Sequence, residues 1–181
     1  MDSDASRRPR WRPPWRRLLS TRNVVSGTAA CVLLYKRNAS TILCLLGAIL
    51  NGVSSKVLKR LFNESRPAGA RLEDPGMPSS HAQSLFFFAS YLSILAANHD
   101  SLSALAPPPS PLVRFATAAA VLVGASAAAV SRIASGLHTP AQIIVGAAFG
   151  AAFGASWYAL QPRLEAAVTW QVPSLRGSSR E

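Results

Sequence analysis

Long uncharged stretches divided by short polar or proline-rich connectors set the pattern of this chain. A helix that crosses a bilayer needs roughly 17 to 25 mostly apolar residues, and four stretches answer to that demand. Ala39 to Ser55 carries Ile42, Leu43, Leu45, Leu46, Ile49 and Leu50, and can continue through Val57 and Leu58 toward Phe62. Ala82 to Ala97 carries Phe86, Phe87, Phe88, Leu92, Ile94 and Leu95, and the stretch between Arg114 and Arg132 is rich in Ala and Val. Thr139 to Leu160 ends near Trp157 and Tyr158, where an interfacial aromatic belt would sit. A shorter run, Asn23 to Tyr35, spans only if Leu18 and Leu19 join it while Arg22 snorkels. The expectation is an all-α transmembrane helical bundle of about five membrane helices over residues 23–160, between a basic tail (1–22) and a polar C-terminal tail (161–181).

The connectors support those boundaries. Pro67 to Ser80 holds three prolines and two glycines, and Pro107 to Pro111 reads Pro-Pro-Pro-Ser-Pro, which cannot sustain a helix. Within the last apolar stretch Gly146, Gly150 and Gly154 stand four apart, making a smooth stripe for close helix packing. The stripe fits either a neighbouring helix of the same chain or a second copy, as in a homo-oligomer.

Composition narrows the function classes. Of 181 residues 49% are hydrophobic and 15% charged, which excludes a disordered or acidic-tail protein. A net charge of +11 suggests nucleic acid, yet seven of the 19 basic residues crowd into the first 22 positions. The remainder is apolar rather than generally basic, so nucleic acid is excluded as a partner. Asp2 and Asp4 argue against a transit peptide, and no apolar core precedes Leu18 to form a secretory signal. Cys31 and Cys44 provide neither a disulfide framework nor a zinc ligand set.

Ionisable groups near membrane depth are costly and therefore point to function. Three clusters qualify. In Lys59-Arg60-Leu61-Phe62-Asn63-Glu64-Ser65-Arg66-Pro67, the seven-residue spacing puts Lys59 and Arg66 on one helix face before Pro67 ends the helix. In Pro78-Ser79-Ser80-His81, Ser80 and Gln83 are spaced as a capping box that places His81 in a first helical turn. Ser131-Arg132 and His138-Thr139-Pro140-Ala141-Gln142 form the third, with Thr139 as cap and Pro140 at the first helical position. The chain crosses out on one helix and back on the next between these loops, so all three clusters emerge on one membrane face. They bring together Lys59, Arg66, Arg132, two histidines and two helix N-termini, a natural site for phosphate. One histidine can attack phosphorus while the other protonates the departing alkoxide. The basic tail joins the same face if five helices span, and the positive-inside rule then turns it toward cytosol or stroma.

In this order the clusters resemble the type-2 phosphatidic acid phosphatase superfamily, whose signature runs Lys-x6-Arg-Pro, Pro-Ser-x-His and Ser-Arg-x5-His. The resemblance covers about Leu43 to Trp157. Asp74 to Ser84, with His138, Thr139 and Gln142, is most similar to the plant plastidial epsilon-type lipid phosphate phosphatases. It implies a membrane phosphatase that hydrolyses phosphatidate to diacylglycerol without magnesium or any other metal or cofactor. His138 is the implied nucleophile, forming a phosphohistidine, and His81 the general acid. Lys59, Arg66 and Arg132 would bind phosphate, assisted by Ser79 and the backbone N–H groups near Ser80.

Two positions depart from the wider pattern. Many members have Gly where Ser80 stands, and most have Asp where Gln142 stands, four residues after the nucleophilic histidine. The Gln142 carbonyl oxygen can accept the imidazole N–H and orient it, but carries no negative charge. Epsilon-type enzymes and dolichyl-diphosphate phosphatases resemble this chain at that position. A polyprenyl or dolichyl diphosphate phosphatase is the alternative enzymatic reading, and a non-catalytic lipid-binding member the alternative outside enzymes. The resemblance implies the inner envelope membrane of the chloroplast, with the endoplasmic reticulum as alternative.

Overall fold

The computed structural model describes residues 39–70, 72–98 and 109–171. Among them are four helices: α1 (Ala39–Phe62), α2 (Ser80–Ala97), α3 (Pro111–Ala134) and α4 (Pro140–Gln171). The candidate span Asn23 to Tyr35 lies outside the described residues. By length and composition α1, α3 and α4 can cross a membrane. The expectation of four such stretches fails at α2, whose 18 residues open on Ser80, His81 and Gln83. That helix is instead the hub, packed against all three others, and it buries Ala82, Gln83, Phe87, Ala89, Tyr91 and Ala96.

Lipid is as apolar as leucine, so such helices associate through close packing and polar contacts rather than through water exclusion. The α2–α4 seam uses both. Gly146 lies against the Ser79 carbonyl, Gly150 against that of Gln83, and Gly154 against that of Phe87 and the Ser90 hydroxyl. The four-residue step on α4 thus meets a four-residue step along α2. The same chain fills the glycine stripe, so the neighbouring helix, the first of the two readings of that stripe, is the one the packing bears out. Ser90 Oγ also donates to Ala151 O at 3.1 Å across this seam.

Phe87, Tyr91 and Trp157 form the main core cluster. Trp157 was expected in an interfacial belt, but it is buried, and its Nε1–H donates to Leu43 O at 2.9 Å. Gly47 makes room for that indole: a Cβ there would overlap the ring. On α1 every fourth residue is buried, namely Ala39, Leu43, Gly47, Asn51, Ser55 and Lys59. The rest of α1 exposes Ile42, Ile49, Val53 and Leu61, and α3 exposes Leu112, Phe115, Val123 and Val130, as lipid-facing helices do.

Helix ends follow local chemistry, with three differences from the expected limits. Ser79, not Ser80, caps α2, its Oγ accepting from Ala82 N at 3.4 Å. Ser110 caps α3, and Pro111 belongs to its first turn, where a missing N–H costs nothing. Helix α4 runs past Leu160 to Gln171 with Pro162 inside it. Thr139 does cap α4, its Oγ1 accepting from Gln142 N at 3.2 Å.

Candidate active site

The last turn of α1 delivers Lys59, and the chain then reverses at Asn63. Its φ of 44° is the left-handed conformation that closes many helices, and its N–H bonds to Lys59 O at 3.0 Å. Asn tolerates that region better than most residues. Arg66 therefore does not share a helix face with Lys59; it approaches from an extended segment beyond the turn. A shared partner joins the two cations. Asp74 Oδ2 accepts from Lys59 Nζ at 2.5 Å, and Asp74 Oδ1 accepts from Arg66 Nη2 at 2.9 Å. Lys59 also donates to Pro75 O, and Arg66 Nε to Asp74 O at 2.9 Å. Burial works to raise the Asp74 carboxyl, but hydrogen bonds and charge from Lys59 and Arg66 outweigh it and hold it below the usual carboxylate range.

His138 sits buried on the connector between α3 and α4. Both its ring nitrogens are engaged: Nδ1 lies 3.1 Å from Gln142 Oε1, and Nε2 lies 3.0 Å from Arg66 Nη1. The tautomer follows from the surroundings of Gln142. Its Nε2 donates to Glu64 Oε1 and to Ser65 O, both at 2.9 Å. Its Oε1 accepts from Thr139 N at 3.2 Å. Ser65 O can only accept and Thr139 N–H can only donate, so the amide has one orientation. The oxygen faces Nδ1, so Nδ1 carries the hydrogen and Nε2 presents its lone pair. Arg66 donates to that lone pair and, through the same Nη1, to Leu137 O at 2.9 Å. Burial lowers the His138 imidazole below its ordinary value; the hydrogen bond to Gln142 opposes this, and the charges of Arg66, Lys59 and Arg132 add to the lowering.

The second histidine is placed differently. His81 stands half-buried in the first turn of α2, and among the described residues its ring has no hydrogen-bond partner. Arg132, half-buried near the end of α3, lies within electrostatic reach of both His81 and His138. Its Nε is buried without a partner, an unspent donor beside the two imidazoles. Ser80 Oγ accepts from Ser55 Oγ at 2.7 Å. Ser79 is fully buried, and its N–H donates to Gln142 O at 3.0 Å. Its hydroxyl thus caps α2 while its N–H ties that helix to α4. Direct contacts thus join Lys59, Arg66, His138 and Gln142, Arg132 lies within electrostatic reach of both histidines, and Ser79 and Ser80 stand at the start of α2 next to His81.

Several residues here were not singled out from sequence. Asp74 and Glu64 lie within the quoted motifs but drew no role, because a lone acid among cations reads as ordinary surface. Asn51 is fully buried, its Oδ1 accepting at 3.1 Å from Nε2 of Gln83, which the sequence offered only as half of a capping box and which also donates to Ser54 Oγ at 3.0 Å. The signal for Asn51 and Ser55 was available: they continue the four-residue spacing back from Lys59 on an otherwise apolar helix. Among the described residues no three His, Cys, Asp or Glu side chains gather as metal ligands do. Positive charge at the site comes from the two arginines and the lysine.

Apolar helices carrying a cluster of cations and two histidines at one end define a helical membrane protein with a candidate anion site. The chain belongs to the PAP2 superfamily, which matches residues 40–166. It is 32% identical, over 75% of its length and 44% of the relative's, to "Lipid phosphate phosphatase epsilon 2, chloroplastic" of Arabidopsis thaliana. It is 34% identical to "Lipid phosphate phosphatase epsilon 1, chloroplastic" of the same plant, over 76% and 46% of the two chains. "Dolichyldiphosphatase 1" of Dictyostelium discoideum is 33% identical over 70% and 55%. The chain thus spans under half the length of the two plant relatives. No solved structure matches it.

Proposed function

We propose that the protein is an integral membrane lipid phosphate phosphatase that hydrolyses phosphatidate to diacylglycerol and phosphate through a phosphohistidine. The observation that carries this reading is the fixed tautomer of His138, with the Nε2 lone pair directed at Arg66 inside the cation cradle. Phosphate oxygens displace Asp74 from Lys59 and Arg66, and Arg66 exchanges the Nε2 lone pair for an oxygen. Arg132 adds its unused Nε–H. Nε2 then attacks phosphorus. As the Nε2–P bond forms, the P–O bond to the lipid breaks and the leaving oxygen takes a proton from protonated His81. Water next attacks phosphorus and gives a proton back to His81, while the P–N bond breaks and its electrons return to Nε2. Three cations neutralise the charge that builds on the equatorial oxygens, so the reaction runs without a metal ion.

The similarity to a dolichyldiphosphatase supports a second reading, a polyprenyl or dolichyl diphosphate substrate on the same cradle. Similarity to two relatives named chloroplastic supports a plastid membrane, for which we propose the inner envelope, over the endoplasmic reticulum; a fluorescent fusion of the full chain would discriminate. The deciding experiment measures phosphate release from phosphatidate and from a polyprenyl diphosphate in detergent micelles with chelator present. Native protein releases phosphate and His138→Ala does not, and the faster substrate chooses between the two readings. Folded native protein that releases nothing from either lipid would leave a lipid-binding member.

A further inference from the structure

Glu64 is the one acidic side chain joined to the His138 system that the reaction above does not use. It leaves α1 just after the Asn63 turn, and its own backbone oxygen is tied to Gly76 N at 2.6 Å, so the side chain is not free to wander. Its Oε1 accepts from Gln142 Nε2 at 2.9 Å, and the other end of that amide accepts from His138 Nδ1 at 3.1 Å. Gly76 closes the remaining side: a Cβ there would come within 2.5 Å of Gln142 Nε2. The amide therefore has one position and one orientation between a carboxylate and an imidazole.

An amide is a resonance hybrid whose charge-separated form has a negative oxygen and a positive nitrogen. A carboxylate on the N–H side favours that form, and hydrogen bonds in such a chain strengthen one another. We infer that Glu64 is a positioning residue for His138, relaying negative charge to Nδ1–H through the Gln142 amide. The inference rests on the phosphohistidine reading for its catalytic meaning: as Nε2 bonds to phosphorus the ring becomes cationic, and Nδ1–H needs an electron-rich acceptor. Gln142 alone supplies orientation; with Glu64 behind it, the pair supplies orientation and charge. The other charged groups facing His138 are Arg66, Lys59 and Arg132, with Asp74 beyond the first two. All three cations oppose an imidazolium. Glu64 is the acid that favours it from the Nδ1 side.

The test is a double-mutant cycle on Glu64→Gln and Gln142→Ala, read by NMR titration of labelled histidine in detergent. The chain has three histidines, so the His138 signal is assignable with His138→Ala. Glu64→Gln keeps an oxygen to accept from Gln142 and removes only the charge. It lowers the titration of His138 by about half a pH unit, as expected of one unit charge acting across an amide. In the Gln142→Ala background the same substitution shifts nothing, because the relay is cut. In the phosphatase assay Glu64→Gln lowers kcat by about tenfold, the scale of losing a second partner behind a working histidine, with KM unchanged. An unmoved His138 titration in Glu64→Gln overturns the inference, as does an equal shift with and without Gln142. The titration needs no turnover, so a native protein that releases no phosphate sinks the phosphatase reading while leaving the relay to be judged on its own.

Discussion

Arg66 and His138, 72 positions apart in sequence, meet at 3.0 Å with guanidinium Nη1 directed at imidazole Nε2. The cation thus occupies the lone pair that the proposed reaction needs, and a phosphate must draw it away. That task suits a planar fork, because one guanidinium can release the ring and hold two phosphate oxygens at once. Arg66→Lys keeps the charge and loses the fork. Phosphate release assays are expected to show kcat/KM reduced by about 10- to 100-fold, the value of one or two charge-assisted hydrogen bonds. Unchanged kinetics would mean that Arg66 acts as a point charge.

The proposed nucleophile must be neutral, and burial and the three nearby cations depress the His138 imidazole. As pH falls the free enzyme loses activity when this ring protonates, so the acidic limb of the kcat/KM profile is expected below the ordinary histidine value of about 6.5. Gln142→Ala removes the hydrogen bond that opposes the depression, so the limb moves to still lower pH while kcat falls. A limb at or above the ordinary value would contradict the assignment of the nucleophile.

Asp74 holds Lys59 and Arg66 where phosphate oxygens are proposed to bind, and its side chain is half exposed. Asp74→Asn removes a competitor. Inorganic phosphate is expected to inhibit the variant about two- to fivefold more tightly, the scale of a solvent-screened ion pair. Weaker inhibition would show that the carboxylate organises the cradle instead of competing for it.

At Gly150 a Cβ would overlap the Gln83 carbonyl, which is backbone and cannot swing aside, whereas Gly124 has nothing within 4 Å. Gly150→Ala is expected to cost about 1–3 kcal/mol by overpacking the α2–α4 seam. Gly124→Ala is expected to be neutral or to stabilise by up to about 1 kcal/mol through helix propensity. Thermal unfolding in detergent measures both, and equal midpoints would mean that the seam yields.

Much of this was legible in the sequence because it depends on local rules. The uncharged runs located the helices, and Thr139 and Pro140 marked the start of α4. What stayed hidden depends on partners distant in the chain. Trp157 reads as an interface residue until Gly47 provides its slot. Ser80 reads as a cap until the backbone gives that role to Ser79 and leaves Ser80 to meet Ser55. Lys59 and Arg66 have helical spacing, yet the left-handed Asn63 breaks the helix between them. The charge missing at Gln142 could not be sought in Glu64 without knowing that the chain folds back over the amide.

The buried line on α1, from Leu43 under Trp157 to Lys59 at Asp74, ties two distant tasks to one rotation angle. Each residue advances a helix by about 100°, so adding or deleting a single residue midway along α1 would leave its first half docked and swing Lys59 out toward the acyl chains. Residues that never approach a phosphate, such as Gly47, therefore aim the lysine as a keyway aims a shaft. Substitutions far along α1 from the candidate site can disable the proposed chemistry without touching the site itself.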